Sequence, residues 1–321
     1  MIKKLTYMLA LAAAVLTACQ PKNDIDEPGE VITLNFALQS DYPEDEAASA
    51  PQRTLGDPGK DDFVQPGHLY FAVWVEANSN IYMEQVHVTG VSWTAAGKGM
   101  YNYSTEYRFK LPSKTLTGNS FHVFAYASAE ALTTTPAISG TYNSTEHTIP
   151  TTTTPLATME GMTLAVPTTS ADAKRAFFRS LYSTALSECD HNQMATSPTI
   201  LLRHTASKLD INWECDPAVH ATGLTAPSSW SISWSEPTTM KIFKPGETSG
   251  TRAMSETVSI DQGNRYNGRY VTYLPMPTTP TFRVTSSSGN INGASTTKDL
   301  VLSKGADDNF ATWMRALWTI K

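Results

Sequence analysis

Positive charge is in short supply. The chain carries 24 Lys and Arg against 30 Asp and Glu, a net charge of −6. Without a basic surface it has no electrostatic hold on a phosphate backbone, which excludes nucleic acid as a partner. Charge of either sign is thin, at 17% of residues against 40% hydrophobic, so a globular chain of this kind builds its surface largely from Ser and Thr. Cysteine is nearly absent, at positions 19, 189 and 215 only. Cys189 is followed by Asp190 and His191, but no metal-type spacing supports a site there. The seven histidines are scattered at 68, 87, 122, 147, 191, 204 and 220. Neither a His-Glu-x-x-His nor a Gly-x-Ser-x-Gly occurs, and Gly97-Lys98-Gly99 lacks the third glycine of a nucleotide fingerprint. The run from Asp57 to Asp62 lacks the ligand spacing and closing glutamate of a calcium loop and reads as a turn. The expectation is a protein that is not an enzyme, with no cofactor and no metal. Beyond the first 16 residues no apolar run reaches the ~18 residues of a membrane-spanning helix.

The amino-terminal residues point to export. Lys3 and Lys4 precede an apolar run from Leu5 to Leu16, the length of a signal-peptide core and too short to span a bilayer. Leu16-Thr17-Ala18-Cys19 follows and has the form of a lipobox. Residues 1–18 are thus expected to be a signal peptide, and Cys19 the acceptor of a lipid anchor. Residues 19–30 are polar and acidic and read as a solvated tether. Acidic residues continue on both sides of the first strand (Asp24, Asp26, Glu27, Glu30, Asp41, Glu44, Asp45 and Glu46) with Lys22 as their one basic neighbour before a loop that carries Arg53.

The remaining chain is patterned for β-structure. Ile32, Leu34, Phe36 and Leu38 alternate with polar or small residues, the period of a half-buried strand. His68–Glu76 is apolar on both faces, with Leu69, Phe71, Val73 and Val75 on one and Tyr70, Ala72 and Trp74 on the other. That pattern predicts a central strand. Further strands are predicted near 81–88, 105–111, 120–127, 207–214, 229–235, 255–260, 269–275, 280–287 and 298–303, with a last alternating segment at 312–321. A Thr/Pro-rich connection spans 132–170, and its stretch Thr151-Thr152-Thr153-Thr154-Pro155 is expected to be extended. A helix is predicted over about 170–187, capped by Ser170, with Asp172 in its first turn and Phe178, Tyr182, Ala185 and Leu186 on one face. The fold class is mainly β: two β-sandwiches, at 31–197 and 198–321, joined by a region containing one short helix. Cys189 and Cys215 fit either one disulfide, in an oxidising compartment, or two buried thiols.

These parts, taken in order, resemble the fimbrillins of the Bacteroidales, the subunits of type V pili. The resemblance rests on the lipobox at Leu16–Cys19, the strand at 31–38, Arg53, Gly56-Asp57-Pro58-Gly59, the strand at 69–75 and the segment at 201–213 that begins Leu-Leu-Arg-His. It implies transthyretin-like sandwiches and travel to the cell surface as a lipoprotein. It also implies cleavage by a surface trypsin-like protease between Arg53 and Thr54 and loss of the strand bearing Ile32, Leu34, Phe36 and Leu38. The vacated groove would then take a donor strand from the next subunit, here the segment bearing Met314, Ala316, Trp318 and Ile320. Partners would be other pilus subunits.

A second reading is a surface glycan-binding lipoprotein in which tryptophans and tyrosines stack on sugars. The two part at the C-terminal strand. A binding module keeps 312–321 paired within its own sheet, whereas a pilus subunit leaves it mobile or hands it to a neighbour.

Overall fold

The structure is a computed structural model. It describes residues 31–39, 64–97, 100–110, 119–131, 145–166, 176, 178–186, 198–215, 229–244, 247–259, 267–275, 281–287, 296–301 and 313–320. Its strands are β1 (Val31–Gln39), β2 (His68–Ala77), β3 (Asn80–Thr89), β4 (Thr94–Gly97), β5 (Met100–Lys110), β6 (Asn119–Ser128), β7 (His147–Thr148), β8 (Thr151–Thr152), β9 (Thr163–Ala165) and β10 (Phe178–Leu186). They continue as β11 (Thr199–His204), β12 (Ala206–Cys215), β13 (Ser229–Glu236), β14 (Thr239–Lys241), β15 (Thr248–Ser249), β16 (Arg252–Ser259), β17 (Asn267–Pro275), β18 (Thr281–Ser286), β19 (Thr297–Val301) and β20 (Trp313–Ile320). One short helix, α1 (Leu156–Glu160), lies between β8 and β9.

The largest sheet runs β4-β5-β1-β11-β10-β6-β2-β3-β8. It folds over on itself. β1 and β2 are far apart along that path, yet the rings of Phe36 and Phe71 meet at 5.0 Å, and Phe71 meets Tyr107 of β5 at 4.9 Å. Between the two halves lies a core of Ile32, Leu34, Phe36, Leu38, Phe71, Val73, Phe109, Phe121 and their neighbours. The two apolar faces of β2 bury differently. Leu69, Phe71, Val73 and Val75 fill this core. Tyr70, Ala72 and Trp74 face outward, where α1, β9 and β14 cover them with Met159, Met162, Leu164, Met240, Ile242 and Phe243. Trp74 keeps its indole N–H satisfied by donating to the Thr154 carbonyl at 2.9 Å, as a buried indole must. A strand apolar on both faces is thus covered on both faces, as its pattern predicts.

Three smaller sheets complete the described chain: β17-β12-β20, β16-β13-β18-β19 and β15-β14-β9. In the last of these, β9 from the first half pairs with β14 from the second. Arg252 reinforces that junction. It donates to Glu236 at 2.8 Å through Nε and to the Val166 carbonyl at 3.1 Å. Arg179 adds a 2.7 Å bond to the Ile242 carbonyl, and burial pushes its guanidinium down to about 10.

Two expectations need correction. The segment predicted as a helix over 170–187 forms β10 from Phe178 onward, paired with β6 along its whole length. Phe178 and Tyr182 are four residues apart, close to one helical turn and equal to two strand periods. The stripe therefore fits either period, and the open edge of β6 selects the strand. The Thr151–Pro155 stretch is extended as expected, with β8 at Thr151–Thr152, and α1 starts directly after the extended Pro155; proline is tolerated at a helix start. Finally, residues 199–204, expected to open the second sandwich, form β11 within the first sheet, between β1 and β10. The crossing into the next sheet comes at Thr205, where β12 begins one residue later.

Candidate functional site

β1 sits inside the large sheet. It runs antiparallel to β5, with Ile32 opposite Phe109 and Leu34 opposite Tyr107, and parallel to β11, with Phe36 opposite Ile200 and Leu38 opposite Leu202. Ile32, Leu34, Phe36 and Leu38 are each no more than 3% exposed, so the side chains that alternation assigns to the core are in it. At ~1.5–3 kcal/mol each they contribute roughly 6–12 kcal/mol of burial, comparable to the whole stability of an ordinary domain. Without β1 the sheet would hold an open slot between two unpaired strand edges, a template for another strand.

Beside this slot lies a polar seam that the sequence pattern does not announce. Tyr107, opposite Leu34, is buried and donates through its hydroxyl to Glu84 of β3. His147 of β7 reaches the same carboxylate at 2.6 Å through Nε2, lies 3.1 Å from the Tyr107 hydroxyl, and donates through Nδ1 to the Thr145 carbonyl at 2.8 Å. Both ring nitrogens thus face acceptors, which requires the doubly protonated ring. Partial burial pulls the imidazole down, but the Thr145 carbonyl and the Glu84 carboxylate outweigh it and hold His147 above its ordinary value. Lys110 and Arg108 flank the seam, both paired with Glu146. The seam ties β3, in one half of the folded sheet, to β5 in the other.

A second histidine pair carries no such role. His68 Nδ1 and His87 Nε2 lie 3.1 Å apart, with ring centres at 5.3 Å. The nitrogens therefore point head-on and share a hydrogen bond. Burial, and then the neighbouring His68, pull His87 below its ordinary value.

β20 is an edge strand of the sheet β17-β12-β20. It runs parallel to β12, with Met314 opposite Leu209, Ala316 opposite Ile211, Trp318 opposite Trp213 and Ile320 opposite Cys215. The C-terminal segment is therefore paired within its own chain, the arrangement named above for a binding module. Each Trp, Tyr and Phe whose burial the structure describes is buried or half-buried, as packing residues are. Cys19, Arg53, Thr54 and Cys189 lie outside the described residues.

No protein-family model matches the chain, and no curated protein matches it. Solved structures do. A fimbrial assembly protein from Parabacteroides distasonis is similar at 12% identity and a TM-score of 0.46, covering 90% of this chain and 91% of its own. The fimbrial anchor protein Mfa2 from Porphyromonas gingivalis is similar at 10% identity and a TM-score of 0.41, over 89% and 90%. The tip fimbrial protein Mfa3 from the same organism, with a C-terminal truncation, is similar at 10% identity and 0.44, over 86% and 83%.

Proposed function

We propose that this chain is a structural subunit of a cell-surface fimbria that assembles by strand exchange. Anchored through Cys19 to the outer membrane, it is cut between Arg53 and Thr54 by a trypsin-like protease and gives up residues 31–38. The slot then takes the C-terminal strand of the next subunit, with Met314, Ala316, Trp318 and Ile320 as the donor set. Both halves of the reading are transthyretin-like sandwiches.

The observation that carries the proposal is the place of β1. It is an interior strand with four core side chains, yet the 28 residues between it and β2 (40–67) include Arg53. A cut there frees a strand that the sheet cannot lose without replacement. β20, by contrast, has one neighbour, so a single ladder must open to release it. In this reading the uncut chain parks its donor at the edge of its own sheet.

The home pairing of β20 favours the alternative, a surface saccharide-binding lipoprotein that never exchanges strands. Trypsin treatment of the protein from residue 20 onward separates the two. Strand exchange predicts cleavage after Arg53, loss of the upstream peptide that carries residues 31–38 and growth of polymers, all absent in Arg53→Ala. A cut protein that stays monomeric and keeps the peptide overturns strand exchange.

A further inference from the structure

The segment Ser229–Glu236 reads Ser-Trp-Ser-Ile-Ser-Trp-Ser-Glu, and its alternation is strict. Trp230, Ile232 and Trp234 are 1–4% exposed, while Ser231 and Ser235 are exposed and Ser233 half-exposed. The register of the sheet β16-β13-β18-β19 extends this polar face sideways. One row across the strands is Ser255, Ser233, Arg283 and Asp299. The next is Thr257, Ser231, Thr285 and Thr297. Within it, the hydroxyls of Thr285 and Thr297 lie 3.2 Å apart. Arg283 and Asp299 form a two-pronged pair, at 2.9 and 3.0 Å. A groove of about 560 Å³ lies over this face, lined by Ser233, Ser235, Ala253, Met254, Arg283 and Asp299 together with Trp234.

The chemistry of this face selects a ligand. Short hydroxyl side chains lose little rotamer freedom when they are covered, and each is both donor and acceptor. The one cation is already matched by one anion, so the groove has no net pull on an anionic ligand. The paired fork still leaves N–H donors on Arg283 and lone pairs on Asp299 side by side, the complement of two neighbouring hydroxyls. Within a row, neighbouring positions are ~4.8 Å apart, close to the length of one pyranose unit, and the two rows lie ~6.8 Å apart along the strands.

We propose that the outer face of this sheet binds a neutral saccharide chain, with Arg283 and Asp299 gripping one diol and the Ser/Thr rows holding the flanking hydroxyls. The site stands whether or not β1 is exchanged.

The test is affinity electrophoresis of the protein from residue 20 onward through gels containing xyloglucan, mannan or a β-1,3-glucan, with dextran sulfate as the charged comparison. At least one neutral polymer should retard the protein, and dextran sulfate should not. Arg283→Ala and Ser233→Tyr should each weaken the retardation about tenfold, the loss of one charge-assisted hydrogen bond or its access, with melting temperatures unchanged. Serine-to-tyrosine in a solvated row and loss of an exposed ion pair leave the fold intact. No retardation by any neutral polymer overturns the proposal. So does retention that both variants keep, or stronger retention by dextran sulfate. A concentration-dependent dimer that Ser233→Tyr abolishes also overturns it, by assigning the face to self-association.

Discussion

Truncating Phe36 to alanine separates the uncut state from the exchanged one, because the same side chain matters in the first and is gone from the second. In the intact chain Phe36 is 2% exposed and packs against the Phe71 ring at 5.0 Å. Its loss leaves a cavity between the halves of the folded sheet, which relaxes only partly. Phe-to-Ala changes in such sites cost about 3–5 kcal/mol, a large share of the roughly 5–15 kcal/mol that holds a domain folded. Urea unfolding of the uncut protein should therefore show the midpoint of Phe36→Ala well below wild type. After trypsin cleavage and assembly, the slot holds a neighbour's strand and position 36 has left with the peptide that ends at Arg53. The polymers of the two proteins should then unfold at the same urea concentration. Equal midpoints before cleavage would show that β1 does not hold the core as described. A deficit that persists after cleavage would show that β1 stays in place, and strand exchange would fall with it.

The His147 seam gives a pH signature. Its folded-state pKa is raised, so its contribution is fully present below the ordinary histidine value near 6.5 and is lost as pH rises through the folded value. Thermal melts should show wild type losing stability from about pH 6.5 upward relative to His147→Gln, whose curve is flatter there; parallel curves would refute the ion pair with Glu84. Cys19→Ala should leave the protein out of the detergent phase in a phase-partition assay, and a variant that still partitions would rule out the lipid anchor. If Cys189 and Cys215 are bridged, the closed loop of about 25 residues adds on the order of 3 kcal/mol. Mass spectrometry of unreduced peptides would show the linked pair, and two free thiols would dismiss it. A synthetic 312–321 peptide should raise the melting temperature of cleaved protein that lacks its own 312–321, since a ligand of the folded slot stabilises it. The same peptide with Trp318→Asp should not, because an unpaired carboxylate would be buried.

Much of the strand order was readable because alternation is a local signal. β1, β2, β6 and β13 each carry it in the residues themselves, and the two-faced apolarity of β2 even announced its double coverage. β10 was misread because four residues satisfy both repeats, and only the presence of the β6 edge, a partner distant in sequence, decides between them. β11 carries the same alternation as any strand, and nothing in Thr-Ile-Leu-Leu-Arg-His states which sheet will take it. The seam of Glu84, Tyr107 and His147 joins three strands across gaps of 23 and 40 residues. Single polar residues at such distances leave no periodic trace. Tyr107 looks like an ordinary apolar-face position, and Glu84 is a lone acid among Tyr82, Val86 and Val88 on the core face of β3; the two become a site only when the sheet closes.

The placement of β1 also sets how the molecule bears load. Tension applied through the segment before Val31 would pull β1 along its own axis, lengthwise to β5 and β11. In that direction the bonds of both ladders are strained together and must fail together, unlike an edge strand peeled away one bond at a time. β20, with a single neighbour, is loaded more gently when lifted sideways from β12. One chain thus carries a strand that resists a pull along its length and another that yields to a sideways lift. A force-extension curve of the uncut protein, pulled from residue 20, should show a single high rupture for the first.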